Sequence, residues 1–405
     1  MPPVPIAKSD KLATVAYDIR GPVLDKARQL QEAGETILHL NIGNVAAFGF
    51  EPPARMVEAM RRLMPEHAGY TDSKGLLGPR RAVAEYSTGK GIRDVTSDDV
   101  YLGNGVSELI QVAVTALVND GDEILIPSPD YPLYTAVVGL AGGVPVHYRC
   151  DESSGWLPDL EHLRARITPR TRALFVCNPN NPTGALYPAT MLQELVTIAR
   201  AHGLVIFADE IYDQTLYDGE THTSIASLGD DVVVLTFNGL SKNFRACGYR
   251  AGWMVVSGDR ERARSYVEGL TMLASLRLCS NTTGQVAIQA ALEGDCGIAE
   301  LVAPGGRLAV QRDLAFRLLS EIPGVSTVKP KAALYMFPRL DPAVYPIADD
   351  QQFAYDLLAE ERLLLVQGTG FNWIEHDHFR LVFLPEAGVL FEAIGRLGAF
   401  LGRRR

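Results

Sequence analysis

The chain has 405 residues, 47% hydrophobic and 21% charged, with a formal net charge of −10. That length exceeds one ordinary core and predicts two domains of unequal size. The acidic balance, with basic residues scattered apart from a terminal GRRR, argues against a nucleic-acid partner, and no apolar run approaches bilayer length. The opening stretch MPPVPIAKSD has no basic segment followed by an apolar one, so the expected location is the cytoplasm. Five cysteines, without a CxxC pair or a histidine at ligand spacing, predict reduced thiols and no metal site. Cys247 is among them, expected as a small buried thiol.

In chain order, YDIRGPVLDKARQLQEAG predicts a helix with Pro22 near its first turn and Gly34 at its end. It has no core of its own and is expected to pack with the C-terminal part. From about 100 to 256 come seven β-rich runs: DVYLG, DEILIPS, VPVHYRC, RALFVCN, LVIFADE, VVVLTFN and AGWMVVSG. Each is continuously apolar, as strands buried on both faces are. Helical patterns such as SELIQVAVTALV and ATMLQELVTIARAHG lie between them, the latter ending on Gly203. The alternation predicts an α/β domain with a largely parallel sheet whose strand ends carry the site. From roughly 300 the pattern changes to GVSTVKPKAALYMFPRL, RLLLVQGTGFN and HFRLVFLP, three strand candidates among helices and so a smaller α+β domain. The expected division is 1–52, a segment packing with the small domain; 53–300, the large domain; and 301–405, the small one.

Four segments carry chemistry. GNGVSE (103–108) leaves a strand and opens a helix, either as a tight turn or as a cradle of free N–H groups for a phosphate dianion; alone, it favours the turn. VCNPNNPTG (176–184) ends a strand in two Asn-Pro steps, which hold Asn178 and Asn181 away from helical geometry as aimed amides. FADEIY (207–212) buries a carboxylate pair that needs a cation, either a nearby lysine or a protonated heterocyclic nitrogen. NGLSKNFRACGYRAGW (238–253) supplies Lys242 with Ser241, Arg245 and Arg250 close by. Alone, it could be a basic surface loop.

Taken together and in order, NPNNPTG, DEIY and SKNFRACGYRAGW resemble the asparagine, aspartate and lysine segments of the fold-type I, pyridoxal-phosphate-dependent aminotransferases. The resemblance covers almost the whole chain. It implies the fold-type I architecture, a large domain with a mainly parallel seven-stranded sheet flanked by helices, plus a smaller α+β domain. It also implies that Lys242 takes the cofactor aldehyde as a Schiff base and later shuttles a proton, its pKa lowered by cationic neighbours. Arg250, Ser241 and the amides around Gly105, Val106 and Ser107 would bind the phosphate. Asp209 would keep the pyridine nitrogen protonated, Tyr212 and Asn181 would bond the phenolic oxygen, and Tyr131 would stack on the ring. Arg380 would take the substrate α-carboxylate in a bidentate fork, with Gly43 letting backbone approach it. Tyr70 matches a tyrosine that reaches the neighbouring subunit's phosphate, which implies a homodimer with shared sites. Arg245 matches no such contact and reads as a solvated charge.

YDIRGPVL, LNIGN, GNGVSELI, PSPDYPL, FNGLSK and QGTGFNW are similar to the bacterial glutamate–pyruvate branch, implying glutamate, 2-oxoglutarate, pyruvate and alanine as substrates. Tyr17 and Arg20 then become substrate candidates. Arg20 either meets glutamate's distal carboxylate or pairs with a surface acid such as Asp18. Departures at Val45, Thr283 and Ile374-Glu375 are expected around the substrate. They leave open a specialised amino acid or natural-product pathway with another acceptor. A C–S β-lyase could use the same fold, cofactor and lysine, whereas an amino-acid-sensing regulator would need a basic DNA-binding extension.

Overall fold

The computed structural model describes residues 6–12, 15 and 21–405. A short strand, β1 (Leu38–His39), precedes β2 (Val100–Gly103), β3 (Glu123–Ser128), β4 (Val144–Asp151), β5 (Leu157–Pro158), β6 (Thr171–Cys177), β7 (Val205–Asp209), β8 (Val234–Gly239) and β9 (Gly252–Ser257). Among the described residues the main sheet runs in the order β2-β9-β8-β7-β6-β3-β4-β5. All seven apolar runs are strands of it. Neighbours from β8 through β7, β6 and β3 to β4 are parallel, and β9 runs antiparallel to both β2 and β8. The eighth strand, β5, is a two-residue edge piece whose proline suits a position with no further ladder to serve.

The continuous apolar runs follow from burial on both faces. In β6, Ala173 and Phe175 join Leu109, Ile110, Phe207 and Phe237 in one packed layer, while Leu174 and Val176 join Leu192, Leu195 and Ile206 in another. The period of two sends successive side chains to opposite helix layers. Helix Val106–Leu117 supplies Leu109 and Ile110; helix Ala189–His202 supplies Leu192 and Leu195 and stops at Gly203, at φ +66°.

In the C-terminal part the first expected strand is broken into three, the second into two, and the third stands as one. These are β10 (Val325–Ser326), β11 (Tyr335–Met336), β12 (Arg339–Leu340), β13 (Leu363–Leu364), β14 (Val366–Gln367) and β15 (Phe379–Val382). Pro330 and Pro338 lie between the first three, where a missing N–H interrupts a ladder. β15 pairs antiparallel with both β11 and β14. Helix Pro22–Glu32, with proline at its first position, packs on helix Asp350–Glu361, and β1 pairs in parallel with β13. Among the described residues no helix is long and apolar enough to cross a membrane.

Candidate active site

The C-terminal ends of β6, β7 and β8 release the segments carrying Asn181, Asp209 to Asp213, and Ser241 to Lys242 at one edge of the sheet. A cavity of about 280 Å³ opens there, lined by Gly43, Val106, Ser107, Tyr131, Asn181, Asp209, Tyr212, Ser241, Lys242, Arg250 and Arg380. Segments more than 300 residues apart thus converge on one chamber. Tyr17 and Arg20 lie outside the described residues.

Asp209 ends β7 with its side chain fully enclosed. Burial pushes its carboxyl up to about 6, against a hydrogen bond from the Tyr134 hydroxyl at 2.6 Å and one from the Ile211 amide at 3.2 Å. A carboxylate so placed has few donors and accepts a further cationic one readily. Tyr134 was missed in the sequence, although it stands three residues beyond Tyr131 in the same SPDYPLY run; the two rings meet edge to face at 5.8 Å.

The other member of the carboxylate pair has a different cation. Glu210 accepts from Lys90 at 2.5 Å, and Lys90 also reaches Asp213 at 2.8 Å. Burial would pull the Lys90 ammonium down, but these two carboxylates more than offset it and its pKa rises. Asp213 also accepts from Asn243, the residue after Lys242, at 2.7 Å, and Asn243 takes the Thr215 hydroxyl at 2.8 Å. This network ties the lysine segment to the aspartate segment. Lys242 itself donates to the Gly43 carbonyl at 2.8 Å, and its Nζ stands 6.0 Å from the Tyr212 ring centre.

At one end of the cavity, helix Val106–Leu117 begins after Gly105, whose φ of +85° favours glycine. A Cβ on Gly105 would overlap the Arg250 guanidinium, so bare backbone is what lets that cation lie over the helix N-terminus. Arg250 is tied back by the Cys247 carbonyl at 2.9 Å. Free helix N–H groups, Arg250 and the hydroxyls of Ser107 and Ser241 together fit a phosphate dianion.

At the other end, Arg380 on β15 donates to Asn181 Oδ1 at 3.0 Å and to the Asn41 carbonyl. Its guanidinium carbon lies 4.5 Å from the ring centres of both Tyr335 and Phe371. Neither aromatic residue was expected from the sequence. QGTGFNW and ALYMF held them, but a lone aromatic in an apolar run reads as core.

Three expectations are corrected. Arg245 is buried, not solvated: it donates to the carbonyls of Glu51 at 2.7 Å, Asn243 at 2.9 Å and Cys296 at 2.6 Å, binding the lysine loop to distant backbone. Cys247 is not a buried thiol; it is partly exposed at the cavity wall, 3.2 Å from Asn44 Oδ1. Asn178 is not aimed into the chamber, because its Oδ1 accepts the Tyr187 amide at 2.8 Å, leaving Asn181 as the amide that faces the site. The departures are also placed: Val45 is buried, Thr283 bonds Asn281, and Ile374 and Glu375 border a separate cavity. None of them lines the chamber holding Lys242.

The profile of the family "Aminotransferase class I and II" matches residues 35–397. Glutamate-pyruvate aminotransferase AlaA of Escherichia coli is 54% identical over 98% of this chain and 98% of its own. An alanine aminotransferase of Mycobacterium tuberculosis is 55% identical over 98% of this chain and 92% of its own. The solved alanine aminotransferase of Pyrococcus furiosus, 41% identical, superposes with a TM-score of 0.94 over 98% of this chain and 100% of its own. With lysine, aspartate and arginine segments converging on one chamber and a family match over most of its length, the chain belongs to the class I and II aminotransferases, with their fold-type I architecture.

Proposed function

We propose that this aminotransferase uses pyridoxal 5'-phosphate, held in the chamber of Lys242, to move an amino group between glutamate or alanine and the matching 2-oxo acids, 2-oxoglutarate or pyruvate. The observation that carries the reading is the arrangement of one cavity: an anion cradle at one end, an arginine–asparagine pair at the other, and a lysine and a buried carboxylate between them. The names of the similar proteins point to glutamate and alanine as the donors.

When bound, the cofactor supplies an aldehyde that takes up amines and a protonated ring that accepts the electron pair released at the substrate Cα. Gly105, Val106, Ser107, Ser241 and Arg250 hold its phosphate. Asp209, which lines the chamber, would hold a proton at the ring nitrogen, while Tyr212 and Asn181 would serve the phenolic oxygen and Tyr131 the ring face. Arg380 binds and orients the α-carboxylate, and Lys242 moves the proton at Cα. A single set of groups serves both half-reactions.

The assembly we infer is a homodimer with shared sites. Tyr70 is 83% exposed and lies outside the cavity, as suits a residue that serves another copy. Exposed Met272, Leu276 and Leu278 lie on or just after helix Arg264–Leu276, whose Ser275 touches Ser73 beside that tyrosine. Such an apolar cluster fits a subunit contact. A cytoplasmic location is part of the same reading.

The test is a product panel: purified holoenzyme with glutamate and a set of 2-oxo acids, each amino product identified by mass. Pyruvate as the best acceptor, returning alanine, supports the assignment. Preference for another acceptor retains the chemistry but overturns the substrate.

A further inference from the structure

Tyr335 entered no motif, yet the two ends of the chamber meet at it. It stands on β11, buried, with its hydroxyl 2.7 Å from the Tyr212 hydroxyl and close enough to Lys242 for the lysine charge to act on it. Its ring lies 4.5 Å from the Arg380 guanidinium carbon. A Cβ on Gly43 would overlap the hydroxyl and approach the ring carbon Cζ to 3.1 Å, so the missing side chain at position 43 is what admits the phenol. The Gly43 carbonyl in turn accepts Lys242.

We propose that Tyr335 is a two-ended positioning residue: its ring holds Arg380 in place for the substrate α-carboxylate, and its hydroxyl holds the Lys242 amine in line for proton transfer at the substrate Cα. This rests on the roles assigned above to Lys242 and Arg380. Packing alone asks only for a ring, which phenylalanine supplies equally well. The hydroxyl here faces the cavity, against Tyr212 and Lys242. Electrostatics agrees. Burial pushes the Tyr335 phenol up, but the Lys242 and Arg380 charges and the Tyr212 hydrogen bond outweigh it, and the net shift is downward. Burial and the Tyr335 neighbour both drive Tyr212 well upward. The two phenols share one hydrogen bond, and the Tyr335 oxygen, lying under the Lys242 charge, keeps lone pairs with which to accept from the lysine. The ring's role follows from its contact with a planar cation that has been drawn out of water.

The experiment compares wild-type holoenzyme with Tyr335→Phe, Tyr335→Leu and Lys242→Ala. Four quantities are read: kcat, KM, thermal midpoint, and the affinity for propionate followed by the cofactor absorbance. Tyr335→Phe should lower kcat roughly 10- to 100-fold, less than the loss of a proton-transferring group itself, and leave propionate affinity and thermal midpoint near wild type. Tyr335→Leu, lacking the ring, should also weaken propionate binding about tenfold. A kcat for Tyr335→Phe within about twofold of wild type, or propionate binding to Tyr335→Leu as tight as to Tyr335→Phe, overturns the inference. Lys242→Ala separates the failures. Lost turnover there with normal Tyr335→Phe removes the Tyr335 role alone, whereas retained turnover in Lys242→Ala removes the site assignment as well.

Discussion

From the anion-cradle end to the middle of the cavity, Asp209, Lys242 and the Val106 and Ser107 amides leave β7, β8 and β2, strands of one eight-stranded sheet. At the carboxylate end, Arg380 and Tyr335 stand on β15 and β11, strands of four and two residues, and meet Asn181, Asn41 and Tyr212 from elsewhere in the chain. The first end is built from local motifs on a rigid platform; the second is assembled across the chain. Changes at the first should therefore strike the chemical step and changes at Arg380 should strike substrate affinity, while Tyr335, which touches Tyr212 and Arg380 alike, divides its effect between hydroxyl and ring.

The largest expected effect at the first end is that of Asp209→Ala. Turnover should fall by more than ~100-fold, the scale of a preorganised charge contact, while the cofactor stays bound through the separate phosphate cradle. Single-turnover absorbance with glutamate, beside a count of bound cofactor, checks both. Loss of the cofactor in step with the rate would show that the two contacts are not separable.

The same carboxylate predicts a stability effect in the apoprotein. Its folded pKa, about 6, lies above the 3.8 of an ordinary aspartate. Below the lower value both states are protonated and nothing is lost. As pH rises from about 4 to 6 the unfolded chain ionises first, so the native state loses stability, and above that range the loss is constant at roughly 3 kcal/mol. Asp209→Asn should remove this slope. Denaturant unfolding of the apoproteins at pH 4, 5, 6 and 7 should show the variant gaining on wild type across the window; parallel curves would contradict the burial argument.

At the carboxylate end, Arg380→Lys keeps the charge but loses the fork and the planar contact with two rings. It should raise KM for glutamate and alanine alike by roughly tenfold, with a smaller change in kcat. Steady-state kinetics with both donors decides it. A kcat loss as large as that of Asp209→Ala, with KM unchanged, would erase the contrast between the two ends.

The same contrast explains how far the sequence could be read. The seven main strands announce themselves as apolar runs because all but the partly exposed β4 are buried on both faces, and their ends carry DEIY and SKNFRACGYRAGW as contiguous words. The C-terminal strands are too short to set a period, so three expected strands became six. Tyr335 and Phe371 were illegible for a related reason: an aromatic against an arginine has the same local sequence as an aromatic in a core. Arg245 shows the limit from the other side. Its three carbonyl acceptors belong to Glu51, Asn243 and Cys296, two of them far away in the chain, and no local pattern records such partners. Lys90 likewise reaches Glu210 and Asp213 from 120 or more positions away.

The central claim is that Lys242 holds the cofactor. Its most direct test is to reconstitute the protein with pyridoxal 5'-phosphate, reduce it with borohydride, digest it and locate the added mass by peptide sequencing. The account predicts a single modified lysine, at position 242 in NGLSKNFR. Modification of a different lysine, or no cofactor retained after reconstitution, would contradict it.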